Sequence, residues 1–223
     1  MKNTKKKIAI TIAIAIVTVL ALFAGTYAAF FTSTKTTKEV STANLGIEIV
    51  QTGDMAKSGV TEITDAKKGS GFQYAGVPGD VVDERVAVQA TGSKDAYVRV
   101  TIIRSWIGID GKKALEVDPS EIGIVCKNGD WIIKEDAEDP EVVECYYKKV
   151  LPSGAISANV MDAFSILADK VGENSNNYSD LSTQITFKAD GIQTVAAKDA
   201  MLSEWGIVAE IDDNGQITAV AEQ

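Results

Sequence analysis

Ala96-Tyr97-Val98-Arg99-Val100-Thr101-Ile102-Ile103-Arg104-Ser105-Trp106 is the most regular stretch of this chain. Val98, Val100 and Ile102 fall at every second place and face one way, while Tyr97, Arg99, Thr101 and Ile103 face the other. A period of two with one apolar side is a β-strand with one face in a core. Residues 82–91 alternate in the same manner. Between the two lies Thr91-Gly92-Ser93-Lys94-Asp95, rich in turn formers, so the pair predicts an antiparallel hairpin. Arg99 is expected to pair with an acidic neighbour such as Glu84 on a solvated face, with a ligand-binding role as the alternative.

Outward from that pair the chain continues in short alternating runs. Upstream, Val77-Pro78-Gly79-Asp80 is a strong turn, because proline presets the first bend and glycine tolerates a positive φ. Residues 44–52 form the first confident strand, with Leu45, Ile47 and Ile49 apolar at alternate places. Residues 53–79 read as looser, and Lys67-Lys68-Gly69-Ser70-Gly71 lacks the spacing of a phosphate-binding loop. Downstream, 121–126 and 130–135 flank Lys127-Asn128-Gly129-Asp130, where Asn-Gly marks a tight hairpin turn. Residues 145–151 return as a strand, in which Tyr146 and Tyr147 point to opposite faces, one inward and one outward. Periodicity over 158–169 fits a short helical turn, and 181–189 alternates again as a strand. A helix is expected around 196–203, followed by a hairpin of 207–211 and 216–220 about Asp212-Asp213-Asn214-Gly215. With no internal repeat and no linker, residues 45–223 predict a single all-β domain. Its architecture is an antiparallel β-sandwich of about nine to eleven strands with one or two short helices.

The first 28 residues are of another kind. Lys2, Lys5, Lys6 and Lys7 precede an uncharged apolar run over 8–24, and small residues follow, which is the pattern of a secretory signal peptide. Thr26 and Ala28 satisfy the small-residue requirement, placing cleavage between Ala28 and Ala29; an uncleaved membrane anchor is the alternative. That segment is the chain's only expected membrane contact. Removing its four lysines leaves 18 basic against 31 acidic side chains, a net charge near −13, which repels nucleic acid and anionic lipid. Residues 29–44 are rich in Thr, Ser and Lys, and they predict an N-terminal arm with too little apolar surface to order alone. Phe30, Phe31, Thr32, Thr34 and Thr36 suit it to add as a strand to a neighbouring subunit; a disordered leader is the plainer alternative. In an exported protein Cys126 and Cys145 could form a disulfide worth roughly 3 kcal/mol, or stay as two free thiols.

Enzyme chemistry is narrowed by one absence. The chain has no histidine, which removes the His-Glu-x-x-His zinc site and the Ser-His-Asp and Cys-His arrangements. A carboxylate pair could still serve glycoside hydrolysis, but nothing singles out two among 31 acidic residues. Asp136, Glu138, Asp139, Glu141 and Glu144 could chelate Ca²⁺, yet they lack the EF-hand order and read as a solvated loop. No cofactor and no catalytic residue is expected.

Several stretches carry a resemblance. Gly25-Thr26-Tyr27-Ala28-Ala29-Phe30-Phe31-Thr32, then Lys35-Thr36 and Ser41-Thr42-Ala43-Asn44-Leu45-Gly46-Ile47, resembles the start of the TasA/camelysin family of exported Gram-positive proteins. Those proteins carry a signal peptide of the SipW-dependent type. Ser33 stands where the family more often has Asp, and Asn44-Leu45-Gly46 departs from its usual Gly-x-Leu-Asp. Pro78-Gly79-Asp80 with Gly92-Ser93-Lys94-Asp95-Ala96-Tyr97-Val98-Arg99-Val100 is similar to a second family run, and Trp131 with Tyr146-Tyr147 and Leu151-Pro152-Ser153-Gly154 resembles a further one. Ile192-Gln193, an Ala-rich helix and Trp205-Gly206 resemble another, with Gly191 replacing the usual Ala. The resemblance implies a jelly-roll-like sandwich, and a strand across 163–168 in place of the helical turn. It also implies a secreted surface or biofilm-matrix protein that polymerises with itself through its N-terminal segment. A signal peptidase is then its partner during export, and other matrix proteins are possible partners. A monomeric adhesin or binding module is the second reading, and a camelysin-like protease the third.

Overall fold

The computed structural model describes residues 31–34, 45–51, 59–63, 70–136, 138–171, 178 and 180–222. In chain order the strands are β1 (Phe31–Thr34), β2 (Ile47–Gln51), β3 (Thr61–Ile63), β4 (Ser70–Tyr74), β5 (Val81–Val82), β6 (Val86–Ala90) and β7 (Ala96–Gly108). There follow β8 (Ile122–Val125), β9 (Trp131–Glu135), β10 (Val142–Tyr147), β11 (Ala163–Ile166), β12 (Leu181–Gln193), β13 (Ile207–Ile211) and β14 (Ile217–Glu222). Among the described residues the helical pieces are a 3-10 turn (Pro119–Glu121), α1 (Ala168–Val171), and α2 (Ala197–Ala200) running into a π-helical turn (Met201–Trp205). Every strand pair is antiparallel.

The large sheet runs β3-β4-β12-β7-β10-β9, with β1 also on β12. The two long strands β7 and β12 pair along their full length, from Leu181 opposite Gly108 to Gln193 opposite Ala96. The facing layer is more broken. β2 pairs β6, and β11 pairs both β5 and β8. Bridges from Val86 to Met161 and from Gln89 to Ile156 join β6 to the segment that leads into β11, tying these strands into one layer.

The core between the layers is what the alternation predicts. Val98, Val100 and Ile102 of β7 are fully buried against Ile47, Val86, Val88, Ile122, Phe164 and Ile166. Burying each such side chain contributes about 1.5–3 kcal/mol. Phe72 of the large sheet stacks on Phe164 of the facing layer at 5.5 Å and lies 5.7 Å from Phe187. The all-β sandwich is therefore as the sequence predicts, with β3 and β4 found inside the stretch read as loose.

Two hairpins need correction. β6 and β7 do not pair: β6 bonds to β2, β7 to β12 and β10. The turn over 91–95 instead carries the chain from one layer to the other. The same holds for β8 and β9 about Asn128-Gly129, since β8 bonds to β11 and β9 to β10. Asn128 shapes that crossing, its side chain accepting from the Asp130 backbone N–H and donating to the Asn159 carbonyl.

The outer face of the large sheet is covered too. α2, the π turn and the β13–β14 hairpin fold back over it, making a second core from Tyr97, Tyr146, Ile192, Met201, Trp205, Ile207 and Ile217. Tyr146 and Tyr147 do face opposite ways, but both are buried, Tyr147 against Trp131 in the main core and Tyr146 near Trp205 in the second. Over 163–168 the strand reading holds at β11, and a helical turn begins only at Ala168.

Candidate functional site

Strand β12 has two edges, and one of them is taken throughout by β7. On the other, β4 pairs only with residues 183–187. The rest of that edge, residues 189–192, would be an open row of backbone donors and acceptors, the kind of template that recruits another strand. It is filled by β1. Phe31 stands opposite Ile192, Thr32 opposite Gly191, Ser33 opposite Asp190 and Thr34 opposite Ala189. Part of the N-terminal arm therefore adds a strand to the sheet of its own chain, end to end with β4. Among the arm residues singled out in the sequence, Phe31, Thr32 and Thr34 lie in this strand. Phe30 and Thr36 lie outside the described residues, as do Ala28, Ala29 and the apolar run over 8–24.

The slot is tightly bounded where β1 enters it. A Cβ added at Gly191 would come within 2.8 Å of the Ile47 side chain, so β2 packs close over this point. Ile47 is itself buried in the main core.

On the other face of the sheet the same four positions border a cluster of charge. Asp190 is 0% exposed, and one of its oxygens, Oδ2, accepts from Arg99 Nη2 at 3.0 Å and lies 3.2 Å from Lys188 Nζ. Arg99 reaches Glu144 Oε1 at 3.3 Å with its other terminal nitrogen, and its guanidinium lies 5.3 Å from the Trp205 ring centroid. The Tyr146 hydroxyl donates to Glu144. Burial, and then that hydrogen bond, push the Tyr146 phenol well above its ordinary value. The expected pairing of Arg99 with Glu84 on a solvated face is thus overturned. Arg99 is only 11% exposed, and its partners come from β12 and β10. Glu84 is buried elsewhere in the fold.

Three polar atoms in this cluster, Asp190 Oδ1, Arg99 Nε and Trp205 Nε1, are buried without a hydrogen-bond partner. A buried acceptor or donor left in that state costs about 1–3 kcal/mol. Sequence reasoning did not find Asp190, because the strand was read as ending at residue 189, whereas β12 continues to Gln193. The available signal was an acidic residue held between Ala189 and Gly191-Ile192 within an otherwise apolar continuation.

The other predicted sites fare differently. Cys126 and Cys145 are free thiols, and burial raises the pKa of both. Asp136, Asp139 and Glu144 of the acidic stretch line a cleft of about 220 Å³ with Lys134, Val142 and Glu222. Among the described residues, no three His, Cys, Asp or Glu side chains come together in a way that could hold a metal ion. No helix among those residues is long and apolar enough to cross a membrane. Compared with family models, curated proteins and solved structures, the chain matches none.

Proposed function

We propose that this chain is an exported protein of the cell surface or biofilm matrix that polymerises by handing its N-terminal arm to the next copy. The observation that carries this reading is the slot beside β12, left open by β4 over residues 189–192 and filled by β1. Strand addition draws its affinity from main-chain hydrogen bonds, which are the same whether the strand comes from the same chain or another. Filling in trans makes a head-to-tail contact that does not close on itself, and such contacts propagate as fibres. The signal-peptide pattern supports export, and the likeness of several stretches to the TasA/camelysin family supports the matrix role. We assign the chain no reaction, given the missing histidines.

One observation favours a second reading, a monomeric surface binding module. The slot is filled by the chain's own arm, so a single copy is already complete. Electron microscopy of the chain beginning at Ala29, beside the same chain lacking 29–44, decides between them. Filaments from the intact chain alone are expected. Monomers from both, across pH and salt, would leave the binding module standing.

A further inference from the structure

We propose that α2, the π turn and the β13–β14 hairpin act together as a lid, and that β1 leaves its slot when this lid lifts off the large sheet. The lid thereby sets when the arm becomes free for another copy. That last step rests on the strand-addition reading; the coupling of lid and arm within one chain stands without it.

The lid is held by packing and not by strand pairing. β13 and β14 form a two-stranded sheet of their own. Among the described residues, two hydrogen bonds tie the lid to the fold beneath it. They run from the Ile217 N–H to the Lys148 carbonyl at 2.7 Å and from the Tyr97 hydroxyl to the Gly215 carbonyl at 2.8 Å. The remaining attraction is apolar burial, chiefly of Met201, Trp205, Ile207 and Ile217. Costs gather at the same interface. Ala196, which leads from β12 into α2, has φ 53° and ψ 33°, the left-handed region that a Cβ disfavours. Among the described residues no other residue except glycine has a positive φ. Trp205 sits over the Arg99 guanidinium, and there Trp205 Nε1, Arg99 Nε and Asp190 Oδ1 are all buried without a partner. Lifting the lid gives these atoms water and frees the Ala196 backbone, so the costs are recovered on opening. The lid therefore opens more readily than the β7–β12 ladder.

Lid and slot share one end of β12. Ile192 packs in the second core beneath the lid, and the same residue stands opposite Phe31 in the β1 register. The stretch that carries the arm on its edge thus carries the lid on its face. When the lid lifts, residues 189–192 keep their pairing with β7 but lose the packing that holds them flat against it. β1 is four residues long, near the short end for a strand, and has little pairing in reserve when that backing goes.

Hydrogen exchange of the monomeric chain beginning at Ala29 tests this, with Ile217→Val to loosen the lid and Ala196→Gly to relieve its hinge. Neither position lies in β1 or β12. In the wild type, amides over 207–222 are expected to be roughly tenfold less protected than the β7–β12 ladder, with 31–34 no better protected than the lid. Ile217→Val takes one methylene from a buried side chain and should lower protection about fivefold over both 207–222 and 31–34, while the ladder keeps its own. Ala196→Gly should raise both by about fivefold. A lid as well protected as the ladder overturns the proposal. So does a change confined to 207–222, or no change in either segment. Filament growth is scored on the same samples. Arms that loosen with the lid yet never yield filaments overturn the assembly reading alone, leaving the coupling of lid and arm intact.

Discussion

Tyr146, Tyr178, Tyr97, Tyr74, Cys126 and Cys145 share a property that shapes how this protein responds to alkali. Burial is the first cause for each, and all are pushed above their ordinary values; Tyr178, which donates to Glu121, is pushed up to about 12. A weak acid whose pKa is raised by folding favours the native state while neutral. That stability is fully present below the unfolded value and is lost as pH rises toward the folded one. The urea midpoint should therefore hold level up to about pH 9, near the unperturbed thiol value, and fall steeply above it. Each fully coupled group removes about 1.4 kcal/mol per pH unit. Urea titrations at half-unit steps from pH 7 to 11 check this, and a midpoint level through pH 11 would contradict it. Thiol chemistry should follow the same order. Cys126, partly exposed, is expected to react slowly with a thiol reagent in the native protein, and buried Cys145 only on unfolding.

At the level of elements, the alternation of Val98, Val100 and Ile102 was enough to identify a strand and its core face. It could not identify the strand's neighbours. An inward-facing row looks the same whether its chain turns back within one sheet or crosses to the other, and both Gly92-Ser93 and Asn128-Gly129 sit at crossings. Nor could it show that the outer face is covered. Tyr97 and Tyr146 are amphipathic and read equally well as exposed, until Trp205 and the closing hairpin are brought over them by contacts distant in sequence. The arm was legible as a candidate strand, but its slot was not, because the slot is defined by where β4 ends. β4 itself shows why it holds its place: a Cβ added at Gly71 would lie 2.0 Å from the Ile185 carbonyl oxygen. That is a backbone clash no rotamer relieves. Gly71→Ala is expected to cost about 3 kcal/mol, at the upper end of overpacking effects. Exchange protection should fall over 183–187 first. Unchanged urea stability would show that β4 can shift along β12 without loss.

The whole molecule is acidic, and that would set a barrier to the proposed polymerisation. With residues 29–223 carrying a net charge near −13, two copies repel as they approach. The strand pairing that would join them is short and largely uncharged at its backbone, and the nearby ion pairs of Asp190 are buried, so salt screens them little. Salt should therefore act on encounter and not on the joined state. The screening length falls from about 30 Å at 0.01 M to about 8 Å at 0.15 M, which is shorter than the dimensions of one subunit. Filament growth is expected to accelerate about tenfold over that range, while exchange protection of the arm within a monomer stays constant. Light scattering during growth, at fixed pH and protein concentration, measures the first; hydrogen exchange measures the second. Growth that slows with salt would mean that opposite charges on two copies draw them together. The cleft formed by Asp136, Asp139, Glu144 and Glu222 would then be the first acidic surface to neutralise, and an arm lysine such as Lys35 or Lys38 the first basic one.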